Sequence, residues 1–195
     1  MRVIGITGPS GSGKSAVSEI LLKKGAVNID ADKIAHDIIL NGTEAYYKLV
    51  DYFGSKIVGD DGEILRRKLG NIVFADGGEK LKFLNDTTHK YIFDEMERQI
   101  KEAEKNGASI VIIDAPLLIE GKFITLAKEI WAVHADKNVQ VKRIMQRDGI
   151  TQKEAENRLS RQKPWSTYAG FATKIIDNST DLNNLEKEVE RALES

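Results

Sequence analysis

Hydrophobic positions along this chain follow two patterns. Short continuous apolar runs are separated by longer segments whose apolar residues recur every three or four positions, so strands alternate with amphipathic helices. The first run, Val3-Ile4-Gly5-Ile6, precedes a helical pattern from Ala16 to Leu22 that Gly25 stops. Ala26-Val27-Asn28-Ile29-Asp30 reads as a second strand, followed by helical spacing from Lys33 to Ile39. Residues 43–105 read as mostly helical, with breaks at Gly54, Gly59-Asp60-Asp61-Gly62, Gly70 and Gly77-Gly78. There Leu84, Asn85 and His89 precede a long helix from Tyr91 to Lys105, with a turn expected at 89–92. Ser109-Ile110-Val111-Ile112-Ile113-Asp114 is β-branched throughout its middle, as in a parallel strand buried on both faces. After it come a loop and helix from Ala115, a strand Glu129–His134 and a helix Asn138–Arg147. Thr151-Gln152-Lys153-Glu154 is a capping box for a short helix ending near Lys163, and Pro164-Trp165 reads as a hinge. A last strand, Lys174–Asp177, and a helix from Asp181 to Leu193 complete an α/β alternation.

One stretch between a strand and a helix carries chemistry. Gly8-Pro9-Ser10-Gly11-Ser12-Gly13-Lys14-Ser15 matches the phosphate-binding pattern G-x-x-x-x-G-K-[ST] in the strand–loop–helix context that pattern requires. Glycines let backbone N–H groups turn inward around a polyphosphate, and the helix N-terminus adds its positive end. Lys14 is expected to reach the β- and γ-phosphates of a nucleoside triphosphate, and the Ser15 hydroxyl to ligate Mg²⁺. Gly11-Ser12-Gly13-Lys14-Ser15-Ala16 also fits a dinucleotide fingerprint, with Asp30 and Asp32 at a suitable distance. That reading is the weaker one, because Gly11 lies several residues beyond the strand and a dinucleotide site has no use for Lys14-Ser15.

Carboxylates that end strands of an α/β sheet face the ligand crevice. Asp30 and Asp32 stand at such a place, although either can instead cap the helix that follows. Asp114 ends the strongest strand, where a carboxylate would hold hydrated Mg²⁺. Arg143, Arg147, Arg158, Arg161 and Lys163 cluster around the capping box and read as a lid over about 148–165 that closes over the nucleotide.

Composition narrows the classes. A chain of 195 residues can bury a proper core, and a net charge of −1 gives no general attraction to nucleic acid or an anionic membrane. The absence of cysteine excludes disulfides, thiolate metal sites and cysteine nucleophiles. No secretory leader and no membrane-length apolar run is visible, so a cytoplasmic protein is expected. The chain contains no Asn-Lys-x-Asp guanine-reading sequence, which disfavours a switch GTPase against a small-molecule kinase.

Several motifs occur in a fixed order: Gly8–Ser15, Asp30-Ala31-Asp32-x-Ile34-Ala35-His36, Arg66-Arg67, Leu84-Asn85-x-x-x-His89 and Asp114-x-Pro116-Leu117-Leu118-x-Glu120. Gln146-Arg147-Asp148-x-x-Thr151, Arg158-x-x-x-Gln162 and Ile176-Asp177-Asn178 follow. This series resembles the dephospho-coenzyme A kinase family over nearly the whole chain. Departures are Lys90 where the family usually has proline, Pro9, and Ala16 where threonine is frequent. The resemblance implies transfer of the γ-phosphoryl group of ATP to the ribose 3′-hydroxyl of dephospho-coenzyme A; another small-molecule or nucleoside monophosphate kinase is the alternative. It implies a three-layer P-loop fold with a five-stranded parallel sheet, a helical acceptor-binding insertion at about 41–105 and a lid at about 148–165, the rest being core.

By the same resemblance Asp32, Lys14 and Arg147 are catalytic. ATP is held by Gly8, Gly11, Ser12, Gly13, Lys14, Ser15, Ala16, Arg147 and, near the adenine, Asn178. Asp32, Arg66, His89, Leu117 and Arg161 contact the acceptor, and Mg²⁺ meets Ser15 and, through water, Asp114. Small-molecule substrates suffice as partners: no nucleic acid, membrane or obligatory protein partner is expected, and a monomer is enough.

Overall fold

The apolar runs form the strands of one sheet: β1 (Arg2–Thr7), β2 (Val27–Asp30), β3 (Ile110–Asp114), β4 (Glu129–His134) and β5 (Lys174–Asp177). A computed structural model describes residues 1–75, 78–115, 118–119 and 122–195. Among these residues the sheet has five parallel strands in the order β2-β3-β1-β4-β5, so β1 lies at its centre. Ile4 is in register with Ile112 of β3 on one side and with Glu129 of β4 on the other. From β1 the chain moves to one edge of the sheet, and from β4 to the other. Diverging connections of this kind open a crevice at the carboxyl ends of the two strands, where ligands bind in open α/β sheets.

The chain divides into two compact units, residues 1–29 with 100–195 and residues 30–99. In the first, α1 (Lys14–Lys23) and α9 (Leu182–Glu194) contribute to the sheet's core. Val17, Ile20 and Leu21 of α1 and Leu185, Val189 and Ala192 of α9 are buried at three- and four-residue spacing. They share a cluster with Ile4, Ile6, Ile112, Val133, Ile176 and the fully buried Trp131. Each such aliphatic side chain contributes roughly 1.5–3 kcal/mol by leaving water. A smaller cluster of Val141, Ile144 and Ala155 seats α7 (Gln152–Ser160) on α6 (Lys137–Asp148). The Thr151–Glu154 capping box forms as the sequence indicates.

The second unit contains α2 (Ala31–Asp37), α3 (Glu44–Phe53), α4 (Arg66–Phe74) and most of α5 (Glu79–Lys105). Tyr46, Leu49, Phe53, Ile57, Ile64, Leu69 and Val73 form its core. Thr43 caps α3 by accepting from the Tyr46 N–H, and the glycine-rich turn at 59–62 joins a bridge between Val58 and Ile64.

Local readings fail at several points. Gly70 does not break a helix but lies inside α4. A helical glycine costs about 1 kcal/mol against alanine, less than the burial of Leu69 and Val73 on either side returns. No turn exists at 89–92, because α5 begins at Glu79 and runs through His89, Lys90 and Tyr91 without interruption. Phe83, Leu84 and Tyr91 pack on the second core, while the polar residues between them give no apolar periodicity to read. The helix opened by the capping box stops at Ser160 rather than near Lys163. Pro164 is then the N-cap of an unforeseen helix, α8 (Trp165–Phe171).

Candidate active site

Residues 8–13 leave the end of β1 and deliver the chain into α1 at Lys14. Two glycines fix the path. Gly11 has φ +74°, and a Cβ there would stand 2.6 Å from the Gln140 carbonyl oxygen. At Gly13, φ is +100° and a Cβ would stand 1.9 Å from Asn178 Nδ2. Neither position accommodates another residue without strain. Behind the loop, the buried Asn178 donates from Nδ2 to the Ser12 carbonyl at 2.8 Å. Arg143 adds longer bonds of 3.3 Å to the Gly11 and Ser12 carbonyls and to Asn178 Oδ1. The loop is therefore braced from outside by β5's continuation and by α6.

A cavity of about 310 Å³ is lined by Gly11, Gly13, Lys14, Ser15, Arg143, Ile144 and Arg147. Three cations and no carboxylate are in that set, so a chain of nearly zero net charge concentrates positive potential here. Lys14 Nζ donates to the Gly8 and Pro9 carbonyls at 2.9 and 3.2 Å. Burial pulls its ammonium below the ordinary lysine range; Asp114 opposes that shift and Arg147 adds to it. A half-buried cation short of solvation is suited to an anionic partner. Arg147 forms a bidentate pair with Asp148 at 2.8 and 3.0 Å, which raises its pKa further, and Asp148 also pairs with Arg158.

The expected nucleotide residues thus fall into three positions. Lys14, Ser15, Gly11, Gly13 and Arg147 share the cavity; Ala16 continues α1. Ser12 is fully buried, with no hydrogen-bond partner for its Oγ among the described residues. Asn178 touches the loop backbone directly, and Asp114 ends β3 within electrostatic reach of Lys14. Arg161 is exposed at the C-cap of α7. Leu117 lies outside the described residues, as do Pro116 and Glu120 of the same motif.

In the second unit, Asp30 Oδ1 accepts the Lys33 N–H at 2.9 Å and caps α2. Asp32 stands exposed in the first helical turn, with the cap already supplied. His36 lies one turn further, 3.4 Å from the Arg66 guanidinium at the start of α4. His89 is half-buried in α5. Arg143 belongs to the cavity as well as to the cluster around the capping box: its spacing of four from Arg147 places both on one face of α6.

Among the described residues no group of three or more His, Cys, Asp or Glu could hold a metal by itself. That suits Mg²⁺ in a phosphoryl-transfer site, which keeps most of its waters and takes one or two protein ligands plus phosphate oxygens. Ser15, exposed at the start of α1, lines the cavity with a hydroxyl of the kind such a site uses.

Comparison with known proteins settles the family. A sequence profile described as dephospho-CoA kinase matches residues 2–184. The chain belongs to the dephospho-CoA kinase family. A dephospho-CoA kinase from Carboxydothermus hydrogenoformans is 41% identical over 189 residues, covering 97% of this chain and 91% of that relative. The solved dephospho-CoA kinase from Campylobacter jejuni superposes with a TM-score of 0.74 at 28% identity, covering 100% of this chain and 96% of the other. Shikimate kinase from Bacteroides thetaiotaomicron, at 16% identity and a TM-score of 0.52 over 99% of this chain and 96% of its own, shares the fold alone. In this dephospho-CoA kinase family member the cavity lined by Lys14, Arg143 and Arg147 lies where the loop after β1 meets α1 and α6.

Proposed function

We infer that this chain transfers the γ-phosphoryl group of ATP to the 3′-hydroxyl of dephospho-coenzyme A, giving coenzyme A and ADP, the last step of coenzyme A biosynthesis. The observation that carries this reading is the family match over residues 2–184, which includes the loop and all three cations of the cavity.

The residue roles proposed here are those the family resemblance implies, and chemistry says what each would do. In-line phosphoryl transfer has a loose transition state, so catalysis is positioning together with stabilisation of charge on the transferring group. Lys14 and the loop amides of residues 11–15 would hold the phosphates, with Gly8, Ser12 and Ala16 shaping their surroundings. Arg147 would meet the charge that develops between donor and acceptor; Asn178 would serve the nucleotide through the loop and at the adenine. Asp32 would accept the hydrogen bond of the 3′-hydroxyl and orient it, taking its proton as the bond to phosphorus forms. Arg66 and His89 would face the acceptor together with Leu117 and Arg161. Mg²⁺, held by Ser15 and through water by Asp114, would neutralise phosphate charge. The insertion at about 41–105 would bind the acceptor, and the segment at about 148–165 would act as the lid. We place the activity in the cytoplasm, without an obligatory protein partner, nucleic acid or membrane.

A coupled assay of ADP release against a panel of acceptors tests the reading. Dephospho-coenzyme A should be turned over far better than nucleoside monophosphates or shikimate. A nucleoside monophosphate preferred by about tenfold or more would replace the acceptor assignment.

A further inference from the structure

One side chain fastens the phosphate-binding loop to the arginine-bearing segment. Gln162, between α7 and α8, places Oε1 2.8 Å from the Ser10 N–H and donates from Nε2 to Ser10 Oγ at 3.0 Å. Both ends of one amide are thus spent on one residue, 152 positions away, at the tip of the loop. Two complementary bonds fix orientation as well as distance, which a single contact does not. Neither Ser10 nor Gln162 lines the cavity that Lys14, Arg143 and Arg147 surround, so the clasp lies outside it.

Other contacts hold the two ends of this segment. Its first half is held on α6 by Val141, Ile144 and Ala155 with the partly buried Met145, Ile150 and Leu159 around them, and by the pairs of Asp148 with Arg147 and Arg158. Beyond Ser160 the chain is irregular until Pro164; there the Gln162 amide reaches the loop, and Trp165 at the far end sets its ring 4.7 Å from that of His134. Within the loop the tip is held by Lys14 Nζ on the Gly8 and Pro9 carbonyls and by a long bond, 3.3 Å, from the Ser12 N–H to the Pro9 carbonyl; the Ser10 N–H is taken by Gln162.

We propose that Gln162 is a positioning residue for phosphoryl transfer, setting the loop tip and the 148–165 segment in register with each other. It touches neither substrate and acts through Ser10. This rests on the ATP-dependent kinase reading above. Because the phosphates are held by Lys14 and the amides of residues 11–15, losing the clasp should reduce turnover and leave nucleotide affinity nearly intact. A misplacement of about 1 Å away from the reacting atoms is enough to cost such factors.

The test uses the full chain with Gln162→Leu, which keeps the bulk and loses both bonds, and Gln162→Asn, which stays polar but falls short of Ser10. Both should lower kcat for dephospho-coenzyme A on the order of tenfold while KM for ATP stays within about twofold, and melting temperature should hold. Ser10→Ala, which keeps the N–H bond, should cost less, and the Ser10→Ala/Gln162→Leu double variant should be no worse than Gln162→Leu alone. Hydrogen exchange in the free protein should show the Ser10 amide protected in the natural chain and fast in both Gln162 variants. Unchanged kcat in both variants, multiplying effects in the double variant, or a raised KM for ATP at constant kcat would each overturn the proposal. An unprotected Ser10 amide in the natural chain would remove the clasp itself. If the natural chain ignores dephospho-coenzyme A while Ser10 remains protected, the acceptor reading fails and the clasp stands.

Discussion

Asp30 and Asp32 show how far a residue type can be read without its surroundings. Both are carboxylates at the end of β2, and both have cap and catalytic readings. The structure separates them: Asp30 Oδ1 takes the Lys33 N–H, and Asp32 is left exposed one residue into α2. Asp30→Ala should therefore lower stability by about 1 kcal/mol, the usual cost of an N-cap, read as a fall in melting temperature. Asp32→Asn preserves shape and has no cap to lose, so melting temperature and ATP affinity should hold. Its kcat should fall on the order of a hundredfold, because a neutral amide accepts the hydroxyl's hydrogen bond more weakly than a carboxylate and cannot take its proton. Near-normal turnover in Asp32→Asn would take this residue out of the mechanism.

Between elements, a two-pronged ion pair joins strands far apart in sequence. Arg2 opens β1 and forms a two-pronged pair with Glu129 of β4, both bonds 2.7 Å, while the Trp131 indole donates to Glu129 at 3.1 Å. Lys174 of β5 stands 3.6 Å from the same carboxylate. The Arg2 hydrogen bonds lead in pulling the Glu129 pKa from 4.5 down to about 2, while burial opposes them. A carboxylate depressed by folding stabilises the folded state above its unfolded pKa, and that contribution disappears as pH falls through the folded value. Melting temperature should accordingly decline between about pH 4.5 and about pH 2, through a contribution on the order of 3 kcal/mol at most. Glu129→Gln should be less stable at neutral pH and lose most of that slope. An unchanged slope would mean other carboxylates govern acid unfolding. Nothing in the spacing of residues 2 and 129 announces this pair, since it depends on β1 and β4 being neighbours.

For the molecule as a whole, the proposed closure of the 148–165 segment has a built-in reporter. Trp131 is fully buried in β4, whereas the partly buried Trp165 opens α8, its ring 4.7 Å from that of His134. An unreactive ATP analogue together with dephospho-coenzyme A should change tryptophan emission through Trp165 and protect residues 148–165 from protease, the analogue alone doing less. If both readouts stay flat with the two ligands present, the arginines of this segment are a solvated face and not a lid.

The sequence by itself determined what local chemistry can determine. Unbroken β-branched runs such as Ile110–Ile113 have only a buried strand as a stable home, and the Gly8–Ser15 pattern places a glycine-rich loop between a strand and a helix. The Thr151 capping box likewise carries its own start signal. Tertiary structure decided what depends on partners distant in sequence. The polar stretch before Tyr91 becomes helix because Phe83, Leu84 and Tyr91 find the core of α3 and α4, and Gly70 is tolerated because its neighbours are buried. Which of two aspartates caps, which arginines face one cavity, and which glutamine holds the loop tip were likewise settled only when strands and helices were brought together. Periodicity reports one face of one element; a hydrogen bond or a cavity belongs to two.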